Sequence, residues 1–342
     1  MYDSKEVEYL MVNKTNGSKK KQRKDHDHQA KIMLSNKQIL AHVIRYLIIE
    51  FKDVAIDKIP YYVMNYQKMN QDSSYLASLN VEDKKIKYAE IRYDLKFEIH
   101  HPLDEKHPGF LIDIEAQQES SSLGYNLKDR GLYYASRLIS GQKNDPEGFQ
   151  KMNFNQMKSV KSIWICMNHV LEKDGQIERF QILHKKTDID TGKVLRETYD
   201  DREEIIIVNP KMHPTDVKTK ASLSNLFNVL FRPKILTKEE RIEILEEKYD
   251  IIITDKFREE MEVMCNLSEG ILQQGIEEGL AQGIKQGLSQ GLSQGIEVGK
   301  LDSTVQHVKS LMEELPNLDV YKAMDLLKVE EGLRDKVVRA IR

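Results

Sequence analysis

Cysteine is scarce: two in 342 residues, Cys166 and Cys265, far apart and in no metal-ligand or redox spacing. That excludes a disulfide framework and a cysteine-based zinc site, and suits a reducing compartment with two free thiols. Long apolar runs are missing as well. No uninterrupted stretch approaches the roughly 18 residues that a membrane span requires, and the opening MYDSKEVEYLMVNKTNG lacks the apolar core of a secretory signal. The expectation is a soluble cytoplasmic protein with no membrane partner. An excess of one charge is also absent. Lys and Arg number 52 against 55 Asp and Glu, a formal net charge of -3. No global positive field draws in nucleic acid, so any attraction to phosphate has to be local.

What is present divides into four parts. Residues 1–24 read as a basic flexible arm carrying Lys19-Lys20-Lys21-Gln22-Arg23-Lys24, either solvated chain or a contact for DNA phosphates. Residues 25–212 read as the principal domain. Its first helix is expected from Ser35 to Phe51, with Ser35 as cap and Ile39, Val43, Tyr46 and Leu47 on one stripe. Glu50, eleven residues beyond Ile39, returns to that face at 3.6 residues per turn. An acid there is a salt-bridged helix end or a third member of a metal site. Lys87 to Ile99 reads as a strand with Tyr93, Leu95, Phe97 and Ile99 on one face. After turn signals at His100-His101-Pro102 and Pro108-Gly109 comes a second strand, Phe110 to Gln117, with Leu111, Asp113, Glu115 and Gln117 on one side. A helix from Tyr125 to Ile139, an apolar strand from Lys161 to Asn168, and weaker strands at Ile177 to Leu183 and Glu204 to Val208 follow. The order strand, strand, helix, strand implies an α/β fold with a mixed central sheet flanked by helices.

Two of these strands carry acids inside an apolar pattern: Tyr93-Asp94-Leu95, and Ile112-Asp113-Ile114-Glu115-Ala116-Gln117. A buried carboxylate needs a cation or donors, and a divalent metal is the simplest match. As neighbouring strands they bring Asp94 and Glu115 together, with Gln117 on the same side of its strand as Glu115. That is the layout of a metal-dependent phosphodiesterase. The alternative is a hairpin or edge acid bonded to backbone. Gln117, an uncharged amide, can orient water or phosphate but cannot neutralise it. His100, His101 and His107 lie in a Pro-containing loop without zinc spacing and read as solvated loop residues. Arg92, Lys96, Lys128, Arg130 and Arg137 are candidate phosphate contacts, or ordinary surface charges.

Residues 213–270 read as an acidic helical region. From Lys238 to Gly270 there are eleven acidic side chains against five basic ones, a surface suited to protein rather than DNA. Residues 271–342 hold a ladder, Gly275, Gly279, Gly283, Gly287, Gly291, Gly295 and Gly299, then C-terminal helices. A four-residue period drifts about 40° per step on a 3.6-residue helix, so the ridge winds slowly. Interior glycine costs up to roughly 1 kcal/mol per position, a penalty that packing against another helix offsets. The two readings are a self-association helix and a loosely ordered tail.

These residues also resemble a known family, the recombination-promoting, transposase-like nucleases of the PD-(D/E)XK nuclease superfamily. The likeness runs through Tyr93-Asp94-Leu95-Lys96-Phe97 and Ile112-Asp113-Ile114-Glu115-Ala116-Gln117. It continues through Asp27-x-x-x-Lys31 with Leu34-Ser35-Asn36-Lys37, Arg130-Gly131-Leu132-Tyr133-Tyr134 and Met264-Cys265-Asn266-Leu267-Ser268, and so covers most of the chain. The resemblance implies a restriction-endonuclease-like core in which Asp94 and Glu115 hold Mg²⁺, with Mn²⁺ as a substitute. Gln117 stands where the superfamily has lysine, and the helix acid maps onto Glu50, with Asp27 as the other candidate. The implied activity is endonucleolytic cleavage of DNA that promotes recombination, and the glycine-repeat helix adds the expectation of a homo-oligomer joined through it. Two alternatives accompany it: a catalytically weak, DNA-associated binding and assembly protein, and a hydrolase of small phosphoesters.

Overall fold

The computed structural model describes residues 25–63, 79–83, 91–103, 108–119, 123–146, 148–232 and 236–341. The basic run at 19–24, the first residues of the strand expected from Lys87, and His107 lie outside them. The chain divides into two compact units, Met1–Leu272 and Gln273–Arg342.

The first unit is built on a six-stranded mixed sheet: β1 Leu79–Asp83, β2 Ile91–Ile99, β3 Phe110–Glu119, β4 Ser159–Asn168, β5 Gln176–Thr187 and β6 Val194–Asn209, in the order β1-β2-β3-β4-β6-β5. β3, β4 and β6 run parallel, whereas β1 and β2 at one edge and β5 at the other pair antiparallel with their neighbours. Between β3 and β4 the chain crosses over through helix α4, Leu127–Gly141, as parallel strands require. Gly109 precedes β3 because a Cβ there would lie 2.3 Å from the carbonyl oxygen of Ile99. Only glycine lets the hairpin close so tightly.

Each face of the sheet has its own core. The larger gathers Leu95, Phe97, Ile99, Phe110, Ile112, Ile114, Ile163, Ile165, Ile206 and Val208 beneath helices α1 (residues 25–34), α2 Lys37–Leu47, α5 Leu223–Phe231, α6 Lys238–Tyr249 and the start of α7 Asp255–Glu314. The smaller packs Tyr93, Leu111, Trp164, Cys166, Ile205 and Ile207 against Leu127, Tyr134, Ala135 and Leu138 of α4. Strand alternation sorts the residues: in β4, Ile163 and Ile165 face one way and Trp164 and Cys166 the other. The acidic segment therefore contributes to the main core through α5 and α6. The Met264-to-Ser268 motif sits at this packing: Met264 is buried, and the Ser268 hydroxyl is 3.0 Å from His26 Nε2 on α1.

The expected first helix starts one residue late and breaks once, after Leu47. Asn36, not Ser35, is the cap, its side chain accepting the N–H groups of Gln38 and Ile39. Ser35 donates instead to the carbonyl of Ile32 at 2.7 Å. The helix stops at Leu47, a separate 3₁₀ turn spans Ile49–Phe51, and Tyr46 is exposed while Ile39, Val43 and Leu47 are buried. Extrapolating the 3.6-residue period to Glu50 therefore fails.

Helix α3, Ile59–Tyr62, belongs to the first unit. In the second unit the remainder of α7 is followed by α8 Val320–Leu326 and α9 Glu331–Ile341. A small core forms around Val308, Ala323, Met324 and Val337. The glycine ladder is helical, and a Cβ added at any of its seven glycines meets nothing within 4 Å. No helix among the described residues is long and apolar enough to cross a membrane.

Candidate functional site

β2 and β3 pair in register from Ile99↔Phe110 to Leu95↔Ile114. One step further Asp94 stands opposite Glu115, and there side chains replace the ladder. The Asp94 N–H donates to Glu115 Oε1 at 2.9 Å, and the Ala116 N–H donates to Asp94 Oδ2 at 3.1 Å. Each carboxyl thus caps the neighbouring strand's backbone, which fixes both groups at the junction. Beyond it β2 changes sides: Leu95 belongs to the larger core, whereas Tyr93 belongs to the smaller, its ring 5.4 Å from that of Tyr134.

Helix α1 delivers a cation to the same point. Lys31 Nζ lies 2.8 Å from Asp94 Oδ1 and 2.8 Å from Asp27 Oδ2. Burial alone would lower this lysine's pKa, but its hydrogen bonds and charge pairing with Asp27 and Asp94 raise it. Burial pushes Asp94 up despite Lys31. Glu115 is held well above the usual carboxylate range by burial and then by the charges of Asp113 and Asp94.

Asp113, two residues before Glu115 and on the same side of β3, is fully buried. Its Oδ2 accepts the Ser162 hydroxyl at 3.0 Å, and Ser162 Oγ in turn accepts the Trp164 indole N–H at 2.9 Å. Burial raises its pKa to about 7. Asp113 Oδ1 meets no N–H or O–H donor of a neutral or cationic group among the described residues, so a proton shared with Glu115 is its natural partner. Arg130 of α4 lies on the aromatic wall of this face, its guanidinium 5.0 Å from the Trp164 ring and bonded to the Tyr134 and Tyr125 hydroxyls at 2.9 and 2.7 Å.

Of the acids singled out from sequence, the structure brings Asp94 and Glu115 together. Gln117 follows two residues on, opposite Cys166 of β4 and half-buried. Glu50 does not join them. Its Oε1 is 4.0 Å from Lys161 Nζ, and Lys161 is further bound to Glu204, which pairs with Arg179. Lys161 shares its face of β4 with Ile163 and Ile165, so this network is on the sheet face opposite Asp113. Asp27, the other candidate helix acid, reaches the site through Lys31. Arg137 is buried rather than a surface charge, and His101 stacks on Phe110 at 5.4 Å.

Lys31 and Asp113 were given no role by the sequence reading. Their signals are present, an i, i+4 acid–lysine pair on a helix and an acid two residues from Glu115, but neither reveals that α1 docks on β2 or that Asp113 is sealed.

Among the described residues no group of three or more His, Cys, Asp or Glu side chains forms a metal cluster. The donor chemistry nevertheless fits a hard divalent cation. Asp94 and Glu115 offer carboxylate oxygens, and Glu115 and Asp113 have no ion pair among the described residues. Mg²⁺ commonly binds one or two carboxylates, with water and substrate phosphate completing its shell. Compared with family models, curated proteins and solved structures, the chain matches none of them.

Proposed function

We propose that the chain is a metal-dependent DNA endonuclease of PD-(D/E)XK type that hydrolyses phosphodiester bonds, with Asp94 and Glu115 as the cation-binding pair. The observation that carries this reading is the excess of acid at the β2–β3 junction, where Asp94 and Glu115 on adjacent strands stand with Asp113 and Asp27, and Lys31 is the cation paired with Asp94 and Asp27; the bonds of Asp94 and Glu115 to backbone N–H groups are those of the structural alternative. When bound, Mg²⁺, or Mn²⁺ in its place, neutralises phosphate charge and lowers the pKa of a bound water.

The chain's own residues do the rest. Lys31 orients Asp94 and supplies the ammonium that Gln117, in the usual lysine position, cannot. Gln117 orients water or a phosphate oxygen through its amide. The Asp113–Glu115 pair shares a proton held on Glu115, the group that burial and Asp113 raise, and Arg130 offers a guanidinium to the DNA backbone. Glu50 has no part in this, because its partner is Lys161.

One observation favours a second reading, a DNA-associated binding and assembly protein with little turnover: Lys31 already satisfies Asp94 Oδ1. Calorimetric titration with Mg²⁺ and Mn²⁺ separates the two. Binding that disappears in Glu115→Ala supports the enzyme, whereas no metal binding alongside DNA binding supports the assembly protein.

The partner proposed for the ladder is a second copy of this chain. Ile276, Leu280, Ile284, Leu288, Leu292 and Ile296 are each about half exposed or more, and a stripe that repeats itself every four residues is complementary to its own copy. Because the stripe winds by about 40° per step, a second copy has to coil with it to bury the roughly 800 Å² per partner of a stable contact.

A further inference from the structure

A second cleft opens on the α4 side of the sheet, beyond the carboxyl ends of the parallel strands β4 and β6. It has a volume of about 510 Å³, within the roughly 300–1,000 Å³ of small-ligand sites. Crevices at that end of parallel strands are where α/β sheets take ligands.

Neither Asp94 nor Glu115 lines it, Tyr125 is bonded to Arg130 at 2.7 Å, and three features of its lining bear on a ligand. The first is electrostatic: the N-terminus of the 15-residue helix α4 ends here, with Asn126 capping the Lys128 N–H at 3.0 Å, and Lys128 and Lys173 flank it. A helix start with flanking lysines attracts an anion, phosphate above all. Counter-charges are local: Lys128 Nζ is 3.7 Å from Asp129 Oδ1 and Lys173 Nζ is 2.8 Å from Glu178 Oε1. The second is aromatic: Tyr125, about half exposed, and Phe180 line the cleft, with the Arg130 guanidinium 5.8 Å from the Tyr125 ring and Lys128 Nζ 5.9 Å from the Phe180 ring, and a base stacks on them by displacing these cations. The third is an unmet donor. Asn209, the last residue of β6, lines the cleft at 2% exposure, and its Nδ2 has no acceptor among the described residues. Such a buried amide is costly unless something in the cleft accepts from it.

We infer that this cleft binds one nucleotide unit, its phosphate at the α4 N-terminus between Lys128 and Lys173, its base against Tyr125 and Phe180, and a base oxygen or ring nitrogen accepting from Asn209. The unit comes from a free nucleotide or from the 5′-phosphorylated end of a DNA strand, which share this chemistry. The site is separate from the Asp94–Glu115 pair, and its occupancy needs neither metal nor cleavage.

The test is calorimetric titration of the full chain in EDTA with dAMP, deoxyadenosine, inorganic phosphate and a 5′-phosphorylated single-stranded oligonucleotide. The expected result is binding of dAMP that exceeds that of phosphate or the nucleoside, and that weakens about tenfold or more in Lys128→Ala/Lys173→Ala, whose side chains are about half exposed and whose folding is checked by circular dichroism. Asn209→Ala, checked for folding by circular dichroism, weakens dAMP further. An oligonucleotide tighter than dAMP assigns the site to a strand end, and the reverse order assigns it to a free nucleotide. No binding of dAMP or oligonucleotide, phosphate binding as tight as dAMP, or dAMP binding retained in the double variant would overturn the inference.

Discussion

Lys31 Nζ lies 2.8 Å from Asp94 Oδ1, so the first helix of the described chain supplies a cation to a carboxylate on the second strand. In the proposed site this ammonium stands in for the lysine that Gln117 replaces. Lys31→Ala should lower DNA nicking about 10²-fold, as loss of one preorganised charge does. It should leave Mg²⁺ affinity equal or tighter, because a competitor for Asp94 is gone. Calorimetry and plasmid nicking on the same preparation check both. Nicking unchanged by the substitution would remove Lys31 from the mechanism.

Asp113 makes stability depend on pH in a predictable direction. Its folded pKa of about 7 is above the roughly 3.9 of an exposed aspartate, so the folded state holds the proton more tightly. The stabilisation is fully present below about pH 4 and is lost as pH rises through about 7. Glu115, Asp94 and Lys96 act on the same group electrostatically, and Ser162 bonds it. Asp113→Asn keeps an acceptor for Ser162 and removes the charge. Thermal melts should show the variant gaining on the parent between about pH 5 and about pH 8, and a gap that shrinks over that interval would contradict the assignment.

Gly131 packs α4 onto the sheet. A Cβ there would come within 2.6 Å of Ile205 Cγ2 and 3.0 Å of Trp164 Nε1, and Trp164 is tied through Ser162 to Asp113. Gly131→Ala should destabilise by about 1–3 kcal/mol through overpacking, read from urea unfolding. A neutral or stabilising effect would mean that the helix shifts freely over Trp164.

Much of this arrangement is legible in the sequence because apolar residues set it. Phe110, Ile112 and Ile114 alternate cleanly with Leu111, Asp113 and Glu115, and the adjacency of Asp94 and Glu115 follows from two strands joined by a turn. The helix from Tyr125 to Ile139 is found two residues later, at Leu127–Gly141. What was illegible depends on breaks in periodicity. The stop at Leu47 moves Glu50 away from its expected face, and the change of sides between Leu95 and Tyr93 has no signature in an alternating pattern. Docking of α1 on β2, which brings Lys31 to Asp94, is a long-range contact that local spacing does not encode.

The ladder predicts an oligomer. Ile284 and Leu288 are 58% and 70% exposed, so replacing both with Glu removes no packing within the chain. Light scattering should find the parent at least dimeric at micromolar concentration and Ile284→Glu/Leu288→Glu monomeric, with the circular dichroism of the first unit's sheet retained. A monomeric parent would contradict the proposal.

The central claim is tested most directly by nicking of supercoiled plasmid with Mg²⁺, with Mn²⁺ and with EDTA, comparing the parent with Asp94→Ala and Glu115→Ala. The account predicts metal-dependent nicking by the parent, abolished by EDTA and reduced by orders of magnitude in both variants. Nicking at equal rates by all three proteins, or none by a folded parent that binds metal, would contradict it.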